Sequence, residues 1–152
     1  MKEICLDLNK GEIYNGFEVL EINDISDYKA KGIWLKHKAS DLEVFHIVCD
    51  DKENLFAFAF GTPSENSTGV AHILEHSVLC GSEAYPLKNP FIRLANQSIK
   101  TFLNAMTFPD KTVYPASSVS REDYFNLMAV YGDAVFFPKL EKWTFLQEGH
   151  RL

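Results

Sequence analysis

No apolar run in this chain approaches the roughly eighteen residues of a membrane-spanning helix, so a membrane partner is not expected. The opening residues, Met1-Lys-Glu-Ile-Cys-Leu-Asp-Leu-Asn9, lack the apolar stretch of a signal peptide and are too acidic for an Arg-rich transit peptide. Basic stripes are missing too: fifteen Lys and Arg are scattered among twenty-one Asp and Glu, and the net charge of −6 argues against a nucleic-acid partner. Cysteine is scarce. Cys5, Cys49 and Cys80 are an odd number with no C-x-x-C pair, which fits reduced thiols in a cytosol or organelle matrix rather than a disulfide framework. Gly/Pro/Ser linkers and internal repeats are also lacking.

What remains is ordinary globular material. With 152 residues, 46% hydrophobic and 13% aromatic, the chain suits one domain with an ample core. Apolar and polar residues alternate over Phe17–Ile22, 32–38, Leu42–Cys49 and Leu55–Phe60, the period of half-buried strands. Asp50-Asp-Lys-Glu-Asn54 is the polar turn between the last two, and together these segments predict an antiparallel meander. The run Gly61–Gly69 is a loop by composition, with Ser67 or Thr68 able to cap a helix from Val70 that Gly81 would close at its left-handed C′ position. Each proline of Tyr85-Pro86 and Asn89-Pro90 disfavours helix in the residue before it, and a second helix is expected from Pro90 to Ile99. Asn104–Ser118 reads as strand, turn and strand, bent at Pro109-Asp-Lys111. Ser120-Arg-Glu-Asp123 then has a capping-box pattern, opening a helix whose Tyr124, Leu127, Met128, Val130, Tyr131, Ala134 and Val135 recur at core spacing.

The chemistry lies in Gly69-Val-Ala-His-Ile-Leu-Glu-His76, where His72, Glu75 and His76 form H-x-x-E-H. Four residues make about one helical turn, so the two imidazoles stack on one face with the carboxylate beside them. That grouping suits a metal centre: two neutral nitrogens as zinc ligands, and a carboxylate to act as general base toward the attacking water. The order of residues is the inverzincin signature. Val70, Ile73, Leu74 and Val78 would anchor the opposite face. His37, His46 and His150 stand outside ligand spacing and read as strand or surface residues. Cys80, four residues after His76, reads as a thiolate ligand or, more simply, a small apolar side chain.

The wider pattern resembles the pitrilysin-type zinc metallopeptidases, in the branch of the presequence protease and falcilysin. It is carried by Asp51, Asn54-Leu-Phe56, Thr68-Gly-Val-Ala-His-Ile-Leu-Glu-His76, Leu79-Cys-Gly-Ser82, Tyr85-Pro86, Asn89-Pro-Phe91, Thr101-Phe-Leu-Asn-Ala105, Thr107, Asp110, Thr112, Tyr114-Pro115, Val130-Tyr131, Asp133-Ala-Val-Phe136 and Gln147-Glu-Gly149. The resemblance implies an α+β fold, an antiparallel sheet with helices packed on one face (the α/β roll), incomplete at its C-terminus. Residues 1–152 would be the N-terminal part of the first peptidase domain, the remainder of the chain closing over it like the second half of a clam shell.

Family membership further implies a zinc endopeptidase for unstructured, presequence-like peptides, using one zinc ion. His72 and His76 would be ligands, Glu75 the catalytic base, and Asn104 and Ala105 a substrate-backbone contact along a sheet edge to which the peptide adds as a strand. The third ligand in this branch is a glutamate on the helix after Gln-Glu-Gly, which falls beyond Leu152. Glu148, 72 residues after His76, is the in-chain candidate and is read instead as a helix or structural residue. With two ligands the isolated segment is expected to bind zinc weakly and cleave peptides poorly or not at all. Two other classes share the motif or its fold: a non-catalytic structural homologue, and a LuxS-like thioether lyase, which would need a catalytic cysteine near the metal.

Overall fold

Alternation drives the first strands. In Phe17–Ile25 (β2), a bulge between Val19 and Glu21 interrupts the alternation and brings Val19 and Ile22 to one side, opposite Leu35 and Ile33 of the antiparallel strand Ala30–His37 (β3), and Val19 and Ile33 are almost fully buried. The computed structural model describes residues 8–88 and 90–150, so the readings of Cys5, Asn89 and the chain's last two residues lie outside it. Residues up to Asp51 and those from Lys52 onward form two compact units. In the first, Ile13–Tyr14 (β1), β2, β3 and Glu43–Val48 (β4) make a sheet in that order, all neighbours antiparallel. A 3-10 turn, Ser26–Tyr28, closes the β2–β3 hairpin, with Lys29 at φ 49°. His37 and His46 sit on β3 and β4, the former against Phe17 and Ser40.

The second unit departs from the expected meander. Asn54–Gly61 (β5) pairs along its whole length with Lys111–Ser118 (β8), and β4 pairs with β3. The polar run 50–53 is thus a connection between sheets, not a hairpin turn. Alternation reports that a strand is half-buried, not which strand it joins. Phe102–Leu103 (β6) and Met106–Thr107 (β7) lie along the far side of β8, making the order β5-β8-β6 with β7 also on β8. The expected turn at Pro109–Lys111 is present, closed by the Phe108 N–H on the Lys111 carbonyl.

Helices cover one face of this sheet. Phe56 on β5 and Tyr114 and Ala116 on β8 form a core with Val78 of Val70–Val78 (α1) and with Leu127 and Tyr131 of Arg121–Phe136 (α3). Phe91 and Leu94 of Pro90–Gln97 (α2) pack against it. The architecture is therefore α+β with an antiparallel sheet. Ser120 caps α3, accepting from the Asp123 N–H at 3.4 Å, but the predicted box is half made, because the Ser120 N–H donates to Ser118 Oγ at 3.2 Å and not to Asp123. A last helix, Lys142–Glu148 (α4), turns Thr144 and Glu148 inward.

Candidate metal centre

α1 begins at Gly69, whose φ of 69° is the left-handed conformation that glycine adopts readily, and among the described residues no side chain caps the helix. The expected cap by Ser67 or Thr68 is not made: Thr68 instead turns back through its N–H and hydroxyl onto the Asn66 side chain. The helix ends at Val78, with Leu79 as its cap, so Gly81 (φ 150°) lies past the C′ position assigned to it. The predicted apolar anchor is also only partly realised, because Val70 and Leu74 are exposed. The buried residues of α1 are Glu75, Ser77 and Val78, so the carboxylate of the motif is itself on the inward side.

A buried carboxylate needs a partner, and Glu75 has one. The Thr107 hydroxyl, from β7, donates to Glu75 Oε2 at 2.7 Å. The two imidazoles face each other, with His72 Nε2 and His76 Nε2 3.2 Å apart. The Nδ1 of His76 points the other way, 3.1 Å from Glu148 Oε2 on α4. Glu148 is buried, and its second oxygen accepts from Gln147 Nε2 at 2.8 Å.

This donor set fits a metal ion. In a tetrahedral site with metal–nitrogen bonds of about 2.0–2.1 Å, two ligand nitrogens stand about 3.3 Å apart, and the Nε2 pair is separated by 3.2 Å. Ligand atoms of His72, Glu75 and His76 all lie within 4.8 Å of one another. A carboxylate on the far nitrogen of a ligating histidine fixes its tautomer and leaves Nε2 as the lone-pair donor. Glu148 occupies that outer place. The Cys80 thiol donates to the His76 carbonyl at 3.4 Å, a turn of its own chain.

A cavity of about 310 Å³ opens beside the motif, lined by Glu75, His76, Asn104, Ala105, Gln147 and Glu148, with Phe91 and Ile92 as its apolar wall. Asn104 and Ala105 thus share a cleft with two residues of the motif. Tyr114 and Tyr131 are buried near enough to Glu75 to feel its charge. Burial, reinforced by the charge of Glu75, pushes both phenols well above their ordinary range and keeps them protonated. The sequence marks Thr107 and Gln147 only as parts of a resemblance, and Tyr131 also as a core position of its helix. Thr107 acts on a residue 32 positions away and Tyr131 on a backbone carbonyl, contacts that leave no local pattern, whereas Gln147 donates to the side chain of its neighbour Glu148.

A family model for insulinase (peptidase family M16) matches residues 59–150. The chain belongs to this peptidase family. It is 50% identical to presequence protease 1, chloroplastic/mitochondrial, of Arabidopsis thaliana over 136 residues, covering 88% of the chain and 13% of that protein. With the mitochondrial presequence protease of Mus musculus the identity is 43% over 150 residues, 99% of the chain and 14% of the relative. The crystal structure of pitrilysin shares the fold, at a TM-score of 0.74 and 21% identity over 89% of this chain and 15% of that one. The chain therefore spans about one-seventh of the length of these relatives.

Proposed function

We propose that this insulinase-family chain is the N-terminal part of the first peptidase domain of a zinc-dependent endopeptidase that cleaves unstructured peptides. The observation that carries the reading is the convergence of His72 Nε2 and His76 Nε2 at 3.2 Å beside the buried Glu75. His72 and His76 would hold the ion, and a third protein donor from outside the described residues would complete the set. Zinc, when bound, supplies Lewis acidity toward the scissile carbonyl and the attacking water. Glu75 takes the proton of that water on the oxygen not held by Thr107, then returns it to the leaving amine. Glu148 keeps the His76 proton on Nδ1, so that Nε2 stays available to the ion.

Substrate would lie along the open edge of the second sheet, where Asn104 and Ala105 line the cleft, adding a strand to β6 and β7. An extended chain offers its backbone to such an edge and a folded one does not, which selects for unstructured peptides. Presequence-like peptides and an organelle matrix are the substrate and compartment that the named relatives suggest.

The test is Glu75→Gln in the complete polypeptide. Peptide cleavage should fall below detection while zinc binding, measured by calorimetry, stays within about threefold of wild type, because the amide keeps the shape and loses the basicity. Cleavage retained in the glutamine variant would refute the base assignment.

A further inference from the structure

The open edge beside Glu75 contains a gap in its hydrogen bonding that a side chain fills. The pairs Leu103–Ala116 and Met106–Val113 set Asn104 opposite Pro115 on β8. The Asn104 N–H donates to the Pro115 carbonyl at 3.2 Å. In an antiparallel ladder such a pair exchanges two bonds, but proline has no N–H to return. The Asn104 carbonyl would therefore face β8 with no backbone donor. Instead the Tyr131 hydroxyl, reaching up from α3, donates to it at 3.0 Å. Tyr131 is 1% exposed, and Phe56 and Phe91 pack edge-on against its ring with centroids 5.8 Å and 6.0 Å away. The phenol is thus fixed in place, and its burial keeps it a donor.

The position matters because of what lies next to it. The N–H groups of Asn104 and Phe108 face β8, so by alternation the backbone groups of Ala105 and Thr107 face away from it, along the free edge. Thr107 also holds Glu75. We propose that Tyr131 is a positioning residue for peptide binding: its hydroxyl replaces the absent Pro115 N–H and keeps segment 104–107 straight, so that Ala105 and Thr107 can pair with an extended substrate. This rests on the reading that peptides add to this edge.

The bond predicts its own rescue. Tyr131→Phe removes the donor and keeps the ring; Pro115→Ala restores a backbone N–H at the same carbonyl. In the complete polypeptide we expect Tyr131→Phe to raise KM for an unstructured peptide about tenfold with kcat changed less than about twofold, the scale of one hydrogen bond. Amide hydrogen exchange over residues 102–108 should accelerate by a similar factor. The double variant Tyr131→Phe/Pro115→Ala should return KM and exchange to within about twofold of wild type, a coupling that a merely structural tyrosine would not produce. Unchanged KM in Tyr131→Phe, or a double variant no better than Tyr131→Phe, overturns the proposal while the peptidase reading stands. A wild-type protein that cleaves no peptide sinks both.

Discussion

A carboxylate that accepts a proton must be held at one angle, and Glu75 is held by the Thr107 hydroxyl at 2.7 Å. Thr107→Val keeps the shape and removes the donor, so kcat should fall about tenfold with zinc affinity unchanged, and Thr107→Ser should recover most of it. Steady-state kinetics on the three proteins decides this: a valine variant with wild-type kcat would show that Glu75 needs no such anchor. Glu148 makes a different prediction. Because it meets His76 at Nδ1 and not at the Nε2 shared with His72, its loss should weaken the ion without abolishing the site. Glu148→Gln is expected to lower zinc affinity about 10–100-fold, the usual cost of removing a ligand's outer partner. Calorimetry that finds no zinc binding at all in this variant would make Glu148 a ligand. The sequence placed His72, Glu75 and His76 together because they share one helix. It could not place Thr107, whose contact spans 32 residues, and it singled out Glu148, 72 residues from His76, without showing that Glu148 meets His76 at Nδ1.

At the scale of elements, period was informative and partnership was not. α3 was legible in its cap, its length and its inward residues Leu127, Tyr131 and Ala134, because a capping hydroxyl and a 3.6-residue repeat are local properties. Ser120→Ala should therefore cost about 1 kcal/mol of stability, read from the midpoint of urea unfolding. The split of the strands into two sheets was not legible, and neither was the short edge strand β6, two residues long. The pairing of β8 with α3 also sets a pH response. Tyr114 and Tyr131 are raised in the fold, so below their unfolded pKa of about 10 they are neutral in both states, and above it the unfolded chain alone releases protons. The contribution of these two residues to stability should hold level up to that point and fall as pH rises further. The phenolate absorbance of these two residues should then appear together with unfolding; ionisation well before unfolding would show that the core admits the charge.

The whole molecule poses a question of surface. Motifs from Asp51 to Gly149, collinear with a known family, made the fold class and the family readable, whereas no single segment would have done so. The chain has two compact units and corresponds to about one-seventh of the length of these relatives. In the second unit, α4 buries Thr144 and Glu148 and presents Trp143, Phe145 and Leu146 to solvent, with Phe137 and Leu140 exposed just before it. Five large apolar side chains within ten residues exceed the scattered exposure of a monomeric surface. The isolated 152-residue chain should therefore self-associate at tens of micromolar, roughly the range in which exposed apolar surface drives association. Replacing Leu140 and Leu146 by Glu removes apolar area and adds like charge without touching Thr144 or Glu148, so sedimentation velocity should then show a monomer with its helical circular dichroism intact. A wild-type chain that sediments as a monomer throughout would mean that this face is tolerated in water.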